Sequence, residues 1–268
     1  MRSILVFVFL FLIGSARAEQ PQRFLSLDLC QDWMLAYFST PSAVIGLSPL
    51  HRVYPSDLIN LPQGHWPSHK GSLEQIVSLA PSTIFVGQYN ALQLRSRLIQ
   101  LGFQVTVFDH PTSLDTIETY QQNFLQALGL PLSRLVPKPE KKFPSRNQRL
   151  LILGVNAIGT GKDTLEDELL TYAGWDNYIT EPGFITLSLE ALILDPPDAI
   201  LFSAPDSRAL ANQFSQHPVL KKVVVENNWI ESDYWRWMCP GPWTWELIES
   251  LANIKLESHH YEDSQSTF

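Results

Sequence analysis

The chain has 268 residues, 45% of them hydrophobic and 17% charged, with 19 Pro, 13 Gly and two Cys. Its 27 Asp and Glu outnumber 19 Lys and Arg, giving a formal net charge of −8, and without a basic cluster to displace phosphate counterions a nucleic-acid partner is excluded. Two cysteines build neither a disulfide framework nor a zinc ribbon, and 11% aromatic residues exclude a disordered chain.

Residues 1–18 read as a signal peptide. Arg2 precedes an apolar run from Ile4 to Ile13, and Ala16-Arg17-Ala18 supplies a small–x–small cleavage site. The run is too short for the roughly 20 residues a membrane helix needs. No Cys sits at the cleavage point, so no lipid anchor is expected and the mature chain from Glu19 is expected to be soluble in the periplasm, where a disulfide is permitted. Residues 19–128 form an N-terminal lobe. Strands are predicted at 23–29, 43–47, 82–87 and 103–108, and helices at 30–38, 73–79, 92–101 and 114–128. Residues 129–149 read as an interlobe linker. Pro131, Pro137, Pro139 and Pro144 fall there, and at about 3 kcal/mol for each interior proline no continuous helix survives. The alternation resumes over 150–256, a C-terminal lobe with strands at 150–155, 199–203 and 222–225. Its helices are predicted at 165–173, 189–194, 207–214 and 243–253, and a polar tail, 257–268, closes the chain. The fold class is α/β, two Rossmann-like lobes with parallel sheets flanked by helices and a cleft between them.

An internal repeat links the lobes. Ser72-Leu73-Glu74 and Ser188-Leu189-Glu190 each open a short amphipathic helix that a proline ends before a buried strand. The serines suit N-caps and Gln75 would complete a capping box. The helix dipole favours a carboxylate in the first turn, so spacing alone makes Glu74 and Glu190 helix-start residues. His65 and His69 are four apart, but Pro67 lies between them and no carboxylates accompany them, so no metal site is expected. No enzyme is expected either. There is no nucleophile elbow and no His-Glu-x-x-His, and Gly159-Thr160-Gly161-Lys162 fails as a phosphate loop because Asn156 and Asp163 stand at its defining positions.

Several stretches together resemble the class III substrate-binding proteins of ABC importers for cobalamin and ferric siderophores. They are the opening 23–32, the Ser-Leu-Glu repeat, Leu101-Gly102-Phe103, the loop and helix 158–170, His217-Pro218-Val219-Leu220, and Pro240-Gly241-Pro242-Trp243-Thr244. The resemblance implies a monomeric bilobed receptor that holds a corrinoid or metal chelate (cobalamin, ferric siderophore or heme) between its lobes. It would deliver that ligand to an ABC importer permease at the inner membrane and carry no cofactor. By the same comparison Glu74 and Glu190 dock on the permease, and Trp66, Phe184, Asp233 and Trp237 lie near ligand positions. The local density of aromatic faces adds Tyr89, Trp235 and Arg236. The family's long interlobe helix is expected to be shortened or missing. With the lobes facing as the family has them, Cys30 and Cys239 both lie on the cleft side, either bonded or as two free thiols. A periplasmic sensor or scaffold module of the same fold, without a transport role, is the alternative reading.

Overall fold

The computed structural model describes residues 22–52, 66–203, 214–232 and 234–257. The leader 1–18, His65, Asp233, the tail from 258 and all but the last residue of the helix predicted at 207–214 lie outside them.

The first lobe runs β1 (Phe24–Ser26), α1 (Leu29–Phe38), β2 (Val44–Gly46), α2 (Leu73–Leu79), β3 (Thr83–Gly87), α3 (Leu92–Gln100), β4 (Val105–Phe108) and α4 (Leu114–Ala127). Its four strands pair in the order β2-β1-β3-β4, all parallel. The first strand is shorter than its apolar run because Asp28 turns the chain, its Oδ1 accepting from the Gln31 N–H at 3.2 Å to cap α1. Helix α1 is buried on nearly every side, with Trp33, Met34, Leu35 and Phe38 buried together with the polar Gln31 and Asp32. Phe85, Phe108 and Phe124 stack beneath it, with Phe108 and Phe124 5.0 Å apart.

The second lobe contains β5 (Arg149–Leu153), β6 (Ile158–Thr160), α5 (Leu165–Tyr172), β7 (Asp176–Asn177) and β8 (Phe184–Thr186). After these come α6 (Leu189–Leu194), β9 (Ala199–Phe202), β10 (Trp229–Glu231), α7 (Tyr234–Met238) and α8 (Thr244–Ala252). The sheet order is β10-β9-β5-β6-β8, with β7 beside β5. Strands β10, β9, β5 and β7 are parallel, whereas β6 and β8 add an antiparallel edge. Immediately after β6 the backbone passes too close for a side chain: a Cβ on Gly161 would lie 2.1 Å from the Glu181 carbonyl oxygen. The strand predicted at 222–225 is not formed. Leu220–Lys222 is a 3-10 turn instead, and Leu220 and Val224 bury themselves against Ile200 and Phe202. Packing there overrides the β preference of the valine run, and the sheet takes its edge strand at Trp229–Glu231.

Helix α4 belongs to both cores. Leu114 and Ile117 pack in the second lobe, while Tyr120, Phe124 and Leu125 pack in the first. The Leu114 N–H also donates to Glu168 Oε2 at 2.7 Å. The helix is 14 residues long and ends before the proline-rich stretch. That stretch is strapped back along α4. Gln121 pairs with both the N–H and the carbonyl of Val136 at 3.2 Å, Lys138 N donates to Glu118 Oε1 at 2.6 Å, and the Lys138 ammonium pairs with Asp115. Trp245 Nε1 donates to the Val136 carbonyl at 3.0 Å, tying α8 to the same strap.

Candidate functional site

Chain crossing from the second lobe also fastens the first. Cys239, buried in the α7–α8 loop, is disulfide-bonded to Cys30 on α1 with 5.0 Å between Cα atoms. Four residues on, Trp243 inserts into the first-lobe core edge-on to Trp33, with centroids 5.6 Å apart. Its Nε1 donates to the Cys239 carbonyl at 2.6 Å. Gly241 is required here, because a Cβ would stand 2.6 Å from the Trp243 ring. Trp237 and Trp245 remain in the second-lobe core. The tryptophan-rich loop is therefore first an interlobe clasp.

Between the lobes lies a cavity of about 500 Å³, a usual size for a small-molecule site. Its walls follow the carboxyl ends of the strands: Tyr89 and His110 come after β3 and β4, and Gly154 and Ser203 after β5 and β9. Ligands of open α/β sheets bind at such strand ends. Phe184, on β8, and Trp237, on α7, complete the aromatic lining. Tyr89 is 76% exposed and Phe184 65% exposed, so both rings offer free faces. Trp237 is mostly buried, its Nε1 donating to Ser232 Oγ at 3.0 Å.

The lobe floor beneath Tyr89 is built from buried polar groups. Asp28 Oδ2 accepts from Gly87 N at 2.7 Å, which anchors the loop that carries Tyr89. The Tyr120 hydroxyl donates to Gln31 Oε1 at 3.2 Å. Burial pushes the Asp28 carboxyl and the Tyr120 phenol up. Deeper still, Asp32 accepts from the Ser48 N–H at 2.8 Å, from Ser48 Oγ at 2.6 Å and from the Ser26 hydroxyl. Desolvation holds its pKa well above the usual carboxylate range. On the opposite wall Glu166, in the first turn of α5, lines the cavity. Desolvation raises its pKa against smaller opposing pulls from its own N–H and from Thr164.

The structure brings Tyr89, Phe184 and Trp237 together at the cavity, and places Trp66 elsewhere. Trp66 packs into the first-lobe core and Arg236 is half-buried on α7 away from the cavity lining. Trp235 is on the same short helix, and Asp233 lies outside the described residues. His69 is a core residue. Its Nδ1 accepts from Gly71 N at 2.9 Å, so its Nε2 carries the proton and donates to the Ser26 carbonyl at 2.7 Å. Burial pushes its imidazole pKa down, which leaves it neutral and saturated. Among the described residues no three His, Cys, Asp or Glu side chains group to hold a metal ion. Sequence reasoning missed His110, Ser203 and Glu166. Glu166 was signalled only by its place in the loop and helix 158–170.

Glu74 and Glu190 are exposed in the first turns of α2 and α6, whose N-caps Ser72 and Ser188 each accept a backbone N–H at 3.3 Å. Gln75 does not complete a capping box, because its Oε1 accepts from Lys70 N at 2.6 Å instead. The Ser188 hydroxyl donates to Glu190 Oε2 at 2.7 Å and holds that carboxyl below its ordinary pKa. Three residues after each glutamate stands an exposed aliphatic side chain, Val77 at 40% and Ile193 at 52%. Both lobes thus present the same pair, a carboxylate with an apolar neighbour one turn on.

No protein-family model and no curated protein matches the sequence. Solved structures do match over nearly the full chain. A periplasmic heme binding protein from Pseudomonas aeruginosa is 19% identical, with a TM-score of 0.63 over 89% of this chain and 95% of its own. A possible iron-binding periplasmic solute-binding protein from Staphylococcus epidermidis is 17% identical, with a TM-score of 0.61 over 86% and 98%. The periplasmic vitamin B12 binding protein BtuF of Vibrio cholerae is 17% identical, with a TM-score of 0.50 over 86% and 95%. This chain has the two-lobed fold of periplasmic binding proteins. In that fold the cavity described above is the space between the lobes. No helix among the described residues is long and apolar enough to cross a membrane.

Proposed function

We propose that this protein is a periplasmic receptor, exported by the leader 1–18, that binds a corrinoid or metal chelate between its lobes and delivers it to an ABC importer. The observation that carries the reading is the interlobe cavity at the strand ends, walled by the free faces of Tyr89 and Phe184. Flat rings at the mouth of a preformed pocket suit a large planar or macrocyclic ligand. Support also comes from the fold shared with heme-, iron- and B12-binding proteins. The matched Glu74–Val77 and Glu190–Ile193 pairs fit docking on a permease surface that offers arginines, which bind carboxylates in bidentate fashion. The fixed clasp between the lobes favours a second reading, a sensor or scaffold that senses ligand without delivering it. Binding without any dependence of cellular uptake on the protein would select that alternative.

The test is equilibrium titration with cobalamin, heme and ferric siderophores, read by tryptophan fluorescence. At least one should bind saturably. Tyr89→Ala with Phe184→Ala should weaken it more than about tenfold, or about 1.4 kcal/mol, with little effect on stability because both rings are exposed. Saturable binding that ignores both substitutions would move the site elsewhere.

A further inference from the structure

The wall chemistry of the cavity narrows the ligand class. Among the described residues that line it there is no Lys or Arg. Its one carboxyl is Glu166, accompanied by the Thr160 and Ser203 hydroxyls, and the His110 imidazole faces them from the first lobe. Desolvation pushes the His110 pKa down, so this ring is neutral at pH 7. An anionic ligand entering such a site loses its hydration and gains no compensating charge from the described lining residues, the costliest form of burial. When Glu166 is ionised it repels that ligand directly. When it is protonated it offers one hydrogen bond and still no positive charge. A cationic ligand reverses the balance, because it stabilises the ionised carboxylate in a low-dielectric wall. The net charge of −8 on the whole chain acts in the same direction at long range.

Resting on the receptor reading, we infer that the interlobe cavity selects by charge, admitting cationic and electrically neutral chelates or corrinoids and rejecting anionic ones, with Glu166 as the specificity-determining side chain. The hydroxyls and Tyr89 supply neutral hydrogen bonds that an amide-rich or hydroxamate periphery satisfies, whereas ligand carboxylates and catecholates meet only neutral donors among the described lining residues, with no positive charge to offset their own.

The experiment is isothermal titration of the mature protein at pH 7.5 with four probes. These are ferrioxamine B (cationic), cyanocobalamin (net neutral), hemin (bearing two propionates) and ferric enterobactin (strongly anionic). The expected result is that the best cationic or neutral probe binds at least about tenfold more tightly than either anionic probe. Glu166→Gln keeps the shape of the side chain and removes the charge. It should lower affinity for a cationic probe about fivefold or more, with a smaller salt dependence, and leave a neutral probe nearly unchanged. Glu166→Arg should raise affinity for the anionic probes. Hemin or ferric enterobactin binding as tightly as ferrioxamine B and cyanocobalamin would overturn this inference and leave the receptor reading intact. Glu166→Gln without effect on the preference would also overturn the role given to Glu166. Failure of every probe to bind would overturn the receptor reading, and this inference with it.

Discussion

Removing the Cys30–Cys239 bond probes what holds the lobes together. The two residues are 209 apart in sequence, so in the chain-entropy model the crosslink stabilises the fold by about 5 kcal/mol through the unfolded state. The native contacts around it do not depend on the bond. Trp243 stays wedged against Trp33 and α4 still contributes to both cores, so the folded lobes keep their arrangement when the sulfurs are gone. Cys239 is 1% exposed, and a hydroxyl there would lose its hydrogen bonds, so the clean variant is Cys30→Ser with Cys239→Ala. Urea unfolding of the oxidised protein and this variant, followed by fluorescence and far-UV circular dichroism, should show a loss between about 2 and 5 kcal/mol. The folded-state near-UV spectrum should be nearly unchanged. A loss below about 1 kcal/mol would refute the entropic account of the clasp. A changed native tryptophan spectrum would show that the bond, and not Trp243 and α4, sets the lobe arrangement.

Gly241→Ala places a Cβ 2.6 Å from the Trp243 ring and should destabilise the fold by about 1–3 kcal/mol. A thermal midpoint equal to wild type would contradict the clasp geometry. The raised pKa of Asp32 means the folded state binds its proton more tightly than the unfolded state, so wild-type stability falls as pH rises from the ordinary value of 3.8 through the folded-state value. Asp32→Asn keeps an acceptor for Ser48 N and removes that slope, so urea unfolding at pH 4.5 and 7.5 should show the variant gaining on wild type at the higher pH. No change in the difference between them would contradict the assignment. Glu74→Arg combined with Glu190→Arg should abolish ligand uptake in cells and leave ligand affinity within about twofold, with each single change milder because the other lobe still docks. Normal uptake by the double variant would return both residues to simple helix starts.

Much of the architecture is readable from local signals. Alternating apolar runs and serine caps place α2, α4 and α6 within a residue or two, because capping and period are properties of a single segment. What spans both lobes is not readable in the same way. The stripe Leu114, Ile117, Phe124 and Leu125 has one helical period, and nothing in it says that its first turn serves one core and its remainder another. The proline content of 129–149 reads as a linker, and its hydrogen bonds to α4 through Val136 and Lys138 leave no mark in the sequence. Aromatic residues pose the same difficulty. Trp66 and Trp243 are core side chains, while Tyr89 and Phe184 are exposed in the cavity, and composition cannot separate these fates because burial is decided by the partner element. Glu166 shares the first turn of α5 with Asp167 and Glu168, where the helix dipole favours any carboxylate, so the sequence does not distinguish it from them. Only the placement of α5 against the cavity singles one of them out.

The central claim concerns where a ligand sits, and the crystal structure of a complex tests it most directly. The protein should be co-crystallised with whichever corrinoid or chelate binds most tightly. The account predicts ligand density between the lobes, in contact with the Tyr89 and Phe184 rings and within hydrogen-bond reach of the Glu166 wall. Ligand density elsewhere on the surface, with the interlobe cavity filled only by water, would contradict it.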